Sequence, residues 1–188
     1  MKKILPLLAG LSALAAVTAG SAKEETLIIF QERHMAITVP DGYSYSSSRD
    51  DNGVLSVKLS DPKQKIDLSV VFLPDPRNRV ATEDGQMSFV AEMGKEYAEG
   101  SVEKGYDFKP LAPRTGSGTY CVFTDAKLVK KMPFPPGEFL NVTCGVKAWS
   151  GGFLVFTLLS NDTTSREYET GFKLVKESFE EKTPAKTM

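Results

Sequence analysis

The chain has 188 residues, of which 41% are hydrophobic and 25% charged, with 23 basic and 24 acidic side chains. This composition is typical of a globular protein, and the near balance of charge gives no support to nucleic acid or anionic lipid as the main partner. About 166 residues remain after the leader described next, which is enough for one domain of ordinary size.

The first 22 residues have the pattern of a secretory signal peptide. Lys2 and Lys3 precede an uncharged, largely apolar stretch, which ends in the small residues Gly20, Ser21 and Ala22. This order predicts cleavage after Ala22. The apolar run is shorter than the ~20 residues of a membrane span, and no cysteine lies in it or directly after it. We therefore expect a soluble periplasmic or secreted protein with no integral membrane segment.

Five strands are predicted in the first part of the mature chain. Alternating or continuous apolar residues predict strands over residues 26–31, 35–39, 43–48, 54–59 and 66–73. Short turns, such as the one at Asn52-Gly53, connect neighbouring strands. Connections this short cannot form a parallel crossover, so we expect an antiparallel meander.

The apolar period changes to that of a helix over residues 83–104, where apolar side chains recur at three- and four-residue steps. Strands are predicted again over residues 106–111, 119–129, 138–149 and 152–160. A second helix is expected after the N-cap candidates of residues 161–165, with an apolar stripe that includes Tyr168 and Phe172.

Each helix has a single apolar face, so each should pack on a sheet. The sequence therefore predicts an α+β fold, an α/β/α sandwich with a mainly antiparallel central sheet and two long amphipathic helices. We expect one domain over residues 23–182, followed by a flexible tail over residues 183–188.

Both cysteines lie in strands that are predicted to form a hairpin around residues 130–137. In that hairpin Cys121 and Cys144 lie directly opposite each other, within the distance that a disulfide bridges. An even number of cysteines in an exported chain favours the bond. The sequence predicts a Cys121–Cys144 disulfide, and the alternative is two free buried thiols.

The order of elements resembles that of the PsbP/Mog-like superfamily. The resemblance rests on a strand that enters Val39-Pro40-Asp41-Gly42-Tyr43 and on a closing helix with Lys176-Glu177-Ser178-Phe179. That superfamily includes extrinsic photosystem subunits and exported bacterial proteins of the DcrB-like type. The resemblance implies an α/β/α sandwich that binds or scaffolds, with no shared catalytic residues. The cysteine pair and the long proline-rich loop depart from it.

No set of residues forms a catalytic or metal-binding pattern. The single histidine, His34, has no nucleophile motif near it in the sequence and is interpreted as a surface residue. With one histidine and two bridged cysteines, a zinc site would rest on carboxylates, which is unusual. We therefore expect a protein that is not an enzyme and has no catalytic residue, metal or other cofactor.

The predicted hairpin loop is the best candidate for a contact with a partner. Lys127, Lys130 and Lys131 surround an apolar tip that contains Met132 and Phe134, and prolines stiffen this tip. The alternative is that Met132 and Phe134 fold back to cover an open end of the sandwich.

The expected function is an exported, non-enzymatic protein that binds a protein or cell-envelope partner through its loops. Two alternatives stay open at this point. One is a small-ligand carrier with a cavity between sheet and helix, beneath Tyr97 or Phe172. The other is a periplasmic inhibitor or immunity protein.

Overall fold

The structure is a computed structural model, and it describes residues 22–30 and 33–182. The predicted signal peptide, apart from its last residue, and the predicted tail lie outside these residues. Within the described ranges, no helix is both long and apolar enough to cross a membrane.

The described residues form ten strands and two helices. In chain order they are β1 (Lys23–Ile28), β2 (His34–Val39), β3 (Ser44–Arg49), β4 (Leu55–Ser60), β5 (Ile66–Pro74), α1 (Glu83–Gly100), β6 (Lys109–Leu111), β7 (Ser117–Thr124), β8 (Asn141–Trp149), β9 (Gly152–Ser160), α2 (Arg166–Glu177) and β10 (Glu180–Lys182).

Seven strands form one central sheet in the order β3-β4-β5-β9-β8-β7-β6. Each neighbouring pair is antiparallel, which confirms the predicted sheet type. The predicted meander is present as β3-β4-β5. Strand β8 lies near the middle and is buried on both faces from Thr143 to Ala148.

The helices pack on opposite faces of this sheet, which confirms the α/β/α sandwich. Helix α1 lies so close to β7 and β8 that a Cβ atom at Gly94 would lie 3.0 Å from the Phe123 ring. Helix α2 covers the other face, where the hydroxyl of Tyr168 is 2.8 Å from that of Thr143. Thr143 and Cys144 point to opposite faces because side chains alternate along a strand.

The first two strands and the last one form a separate sheet of order β1-β2-β10, which the sequence did not predict. It lies on the α2 face, where Met35 and Ile37 share one hydrophobic core with Phe72 and Phe156. Strand β1 begins three residues earlier than predicted. Strand β10 has only three residues, which are too few to show the alternation of apolar and polar residues that predicts a strand.

Several elements are shorter than the sequence predicts, and their ends converge on one place. Helix α1 ends at Gly100, because Ser101 is extended and forms a β-bridge with Asp125. Strand β7 ends at Thr124, because the Asp125 carboxylate accepts a hydrogen bond from the Lys127 amide and begins a turn. Strand β6 is reduced to the three residues Lys109–Leu111, and Tyr106 and Phe108 stack on each other before it.

Candidate functional site

The loop between β7 and β8 is fastened at its base to the end of α1. The amide of Ala126 donates to the carbonyl of Gly100 at 3.2 Å, and the amide of Val102 donates to the carbonyl of Thr124 at 2.9 Å. The loop and the segment after α1 therefore lie side by side at one end of the sandwich.

Most of the exposed large hydrophobic side chains of the described residues lie at this end. Five of the six are found in the last turns of α1, in the segment that follows it and in the β7–β8 loop; Ile28 is the exception. We call the following set the loop-end surface: Tyr97, Val102, Tyr106, Val129 and Met132, with the exposed lysines Lys127, Lys130 and Lys131.

The two tyrosines of this surface are held in place by one buried ring. The ring centroids of Tyr97 and Tyr106 lie 6.2 and 6.0 Å from that of Phe123. The Tyr106 hydroxyl also donates to the carbonyl of Ala91 at 2.9 Å. These contacts fix part of the apolar surface on rigid elements.

The loop itself presents its apolar tip to solvent. Met132 is 78% exposed and Val129 is 48% exposed, whereas Leu128 is buried. Phe134 is half-buried. Met132 therefore does not fold back to cover the end of the sandwich, whereas Phe134 is partly covered. A groove of about 310 Å³ lies along the loop base and is lined in part by Lys127 and Lys131.

The ionised carboxylate of Glu103 joins the segment after α1 to β7 through hydrogen bonds. Glu103 accepts hydrogen bonds from the amide and the hydroxyl of Thr124 at 2.9 and 2.8 Å. Burial acts to raise the pKa of Glu103, but these hydrogen bonds outweigh it and the pKa lies below its ordinary value. Glu103 therefore holds Val102 beside the loop at neutral pH.

The cysteine pair has the predicted register. Cys121 faces Cys144 directly across β7 and β8, and both side chains are buried. The two sulfur atoms are not bonded to each other in the structure, so the disulfide stays a prediction. Burial raises the pKa of Cys121 to about 11 and that of Cys144 to about 12.

His34 lies in β2, opposite Ile28, and is half-buried. In residues 22–30 and 33–182, no three His, Cys, Asp or Glu side chains come together as metal ligands would. The expectations of no cofactor and no catalytic residue stay predictions.

A pocket of about 230 Å³ lies elsewhere, between the central sheet and the small sheet; we call it the inter-sheet pocket. It lies against Lys147 rather than beneath Tyr97 or Phe172. Trp149 lines this pocket and is half-buried. Burial lowers the pKa of Lys147, and the neighbouring Glu180 partly opposes that change.

The apolar period places Tyr97 on the buried face of the first predicted helix, whereas Val102 lies inside that longer predicted helix and Tyr106 inside a longer predicted strand. The exposure of these three side chains was therefore not predicted. One signal was available for Val102 and Tyr106. Both are apolar residues in an otherwise polar, glycine-containing stretch directly after an amphipathic helix.

No family model matches this sequence, and no curated protein matches it. Among solved structures, the chain is similar to the solution structure of cyanobacterial PsbP (CyanoP) from Synechocystis sp. PCC 6803. The match has 14% identity and a TM-score of 0.48, and it covers 88% of this chain and 95% of the other. The neighbour bears the PsbP name of the predicted resemblance. The Mog-like and DcrB-like parts of the resemblance stay predictions.

Proposed function

We propose that this protein is exported, is not an enzyme, and binds a protein or cell-envelope partner through the loop-end surface. The observation that supports the proposal is the concentration of exposed apolar side chains at one end of the molecule. Apolar patches with a polar rim are typical of interaction sites, whereas single exposed apolar residues are ordinary.

The chemistry of the surface favours a partner with an acidic rim and an apolar pocket. Met132 and Val129 would supply the buried contact, because large apolar side chains at the centre of an interface contribute most of its energy. The lysines at positions 127, 130 and 131 would steer a negatively charged partner and set its orientation. A periplasmic inhibitor or immunity protein would be one instance of such binding.

The stiffness of the loop supports the same proposal. Pro133, Pro135 and Pro136 follow Met132 closely, and proline restricts the backbone before binding. A loop that is already ordered loses less conformational entropy when it docks.

A binding assay with charge-reversal and apolar-to-acidic variants tests the proposal. The protein, without its leader, would be immobilised and exposed to a solubilised envelope extract, and the retained partner would then be purified for titration. Met132→Asp and the double variant Lys130→Glu/Lys131→Glu should each weaken binding by about 10-fold or more, as loss of a central contact does.

Matched controls come from the rest of the surface. Ile28 is 51% exposed in the small sheet, and Lys63 and Lys173 are exposed lysines far along the chain from the loop. Ile28→Asp and Lys63→Glu/Lys173→Glu should bind as the wild type does. Equal binding by the loop variants and these controls would refute the proposal.

A small-ligand carrier remains a second proposal. The observation that favours it is the inter-sheet pocket, although this pocket lies between two sheets and not between sheet and helix.

A further inference from the structure

The two sheets of the described residues have four edge strands, and three of these carry features that discourage pairing with another chain. Strand β6 has only three residues and contains Lys109 and Pro110. Strand β10 also has three residues, and all of them are charged. Strand β1 begins with the charged residues Lys23, Glu24 and Glu25. Short length, proline and charge are the usual means by which proteins protect a sheet edge.

Strand β3 is the fourth edge, and it lacks this protection. Its six residues read Ser-Tyr-Ser-Ser-Ser-Arg, so that only the last one is charged and none is proline. They pair one to one with β4, without a bulge. All of them except Tyr45 are exposed. This edge is therefore regular and open to solvent along its whole length.

Every second residue of β3 directs its backbone groups away from β4. At the end of the β3–β4 hairpin, the amide of Asp50 donates to the carbonyl of Val54 at 3.1 Å. Hydrogen-bonded and non-hydrogen-bonded pairs alternate along an antiparallel ladder, so every second residue counted back from Asp50 bonds to β4. The amides and carbonyls of Tyr45, Ser47 and Arg49 therefore point to the open edge.

The two large side chains of β3 are held by their own chain. The Tyr45 ring packs against the hydrophobic core below the sheet. The Arg49 guanidinium donates to the carbonyl of Gly53 at 2.8 Å and to the carbonyl of Ile28. The other side chains of β3 are those of serine. Another strand can therefore approach the backbone of β3.

The residue pattern of β3 is complementary to itself in one antiparallel register. About a two-fold axis at Ser47, this residue faces its own copy, and Tyr45 faces Arg49 of the second copy. All three outward-directed residues then lie in hydrogen-bonded pairs, each of which exchanges two hydrogen bonds. A shift one way would use Tyr43, whose amide already donates to Pro40. A shift the other way would place the two Arg49 side chains opposite each other, which is unfavourable.

We propose that β3 is a contact between two copies of this chain, which pair these strands antiparallel and join their central sheets into one. A strand of another protein would need pockets for its alternate side chains to be bound specifically. Strand β3 lines neither the inter-sheet pocket nor the groove at the loop base. The self-complementary register favours a second copy, since two-fold contacts use the same surface twice.

Sedimentation velocity over a range of concentrations tests the proposal. The protein as its host produces it should change from monomer to dimer with a Kd on the order of 100 μM, because one pair of short strands buries less area than a permanent dimer does. Ser47→Pro removes the central amide of the pairing but no bond to β4, and edge strands tolerate proline at such positions. We expect this variant to dimerise at least 10-fold more weakly, and Ser47→Ala to dimerise as the wild type does.

Single cysteines on β3 test the register. In Ser47→Cys the new thiol faces its own copy, within the distance that a disulfide bridges. In the matched control Ser48→Cys the thiol faces Ser46 of the second copy, and the two thiols lie two residues apart along the strands, too far for a bond. Mild oxidation should therefore crosslink Ser47→Cys at least 10-fold faster than Ser48→Cys. Cys121 and Cys144 are buried and do not compete in the folded protein.

A wild type that stays monomeric up to about 1 mM would overturn the proposal in favour of a strand from another protein. It is also overturned if Ser47→Pro, shown to be folded by circular dichroism, dimerises as the wild type does, or if Ser48→Cys crosslinks as fast as Ser47→Cys. If Ser47→Pro does not fold, the two cysteine variants decide. Strands β4, β5, β9 and β8 separate β3 from β7, so none of these outcomes bears on the loop-end surface.

Discussion

Cys121 and Cys144 face each other on the sheet surface that α1 covers. Thiol–disulfide exchange requires a thiolate that the other reactant can reach. Both sulfurs are buried and both pKa values are raised, to about 11 and about 12. The bond should therefore form before α1 packs on the hairpin, by exchange with an external disulfide, and should then resist reduction in the folded protein.

Alkylation with iodoacetamide at pH 8 tests this at the residue scale. Protein isolated from an oxidising compartment should take up no label, folded or in denaturant, and should weigh two hydrogens less than the reduced chain. Protein that is reduced and refolded should react only after denaturation. In urea, the oxidised form should have a free energy of unfolding about 3 kcal/mol higher than the reduced form. Two labels on denatured, unreduced protein would contradict the predicted bridge.

At the scale of elements, the sheet face below α1 is only half covered. Ser46, Lys58, Ser69 and Thr157 lie in a row across β3, β4, β5 and β9, on the same face as Cys144. Helix α1 packs over β7 and β8 instead. This accounts for the polar residues that alternate with the buried apolar ones along β4 and β5.

Asp67 lies on β5 beside this row, and its ionisation should weaken the fold slightly. Burial raises its pKa, and Lys58 partly opposes the shift. The folded protein then binds the proton more tightly than the unfolded chain does, so the contribution of Asp67 to stability is present below pH 3.8 and is lost as the pH rises through the folded pKa. Asp67→Asn should raise the free energy of unfolding at pH 7 by a few tenths of a kcal/mol, since half-exposed charges are screened.

Urea denaturation at pH 3 and at pH 7 measures this effect. The difference between Asp67→Asn and the wild type should be smaller at pH 3, where the wild-type carboxyl is protonated. Asp51→Asn, in an exposed turn, serves as the control. A variant that is less stable than the wild type at pH 7 would show that the Asp67 charge is favourable.

Elements in which apolar residues recur regularly were predicted well. Elements that form only through contacts with residues distant in the sequence were not predicted. The bounds of β9 agree with the prediction, and the Cys121–Cys144 register follows from the hairpin alone. The short strand β10 has no period and exists only because it pairs with β2. Likewise, the lysines of the β7–β8 loop can be predicted as surface residues from the sequence. Val102 lies beside this loop only because its amide donates a hydrogen bond to the carbonyl of Thr124.

At the scale of the whole molecule, strand β8 links the two candidate sites. Its first residue, Asn141, adjoins the loop that carries Met132, and its last residue, Trp149, lines the inter-sheet pocket. These two residues are eight positions apart, which corresponds to roughly 27 Å along a strand. A partner at the loop-end surface and a ligand in the pocket therefore occupy different ends of the sandwich and can be tested separately.

We expect the loop-end surface to contact the partner in the cell. The most direct measurement is site-specific photo-crosslinking of the full chain in its own host, with a photoreactive phenylalanine analogue at position 132 or at position 28. We expect a discrete crosslinked product from position 132 that disappears with Lys130→Glu/Lys131→Glu, and no such product from position 28. A product from position 28 alone, or no product from position 132, would show that the partner does not bind the loop-end surface.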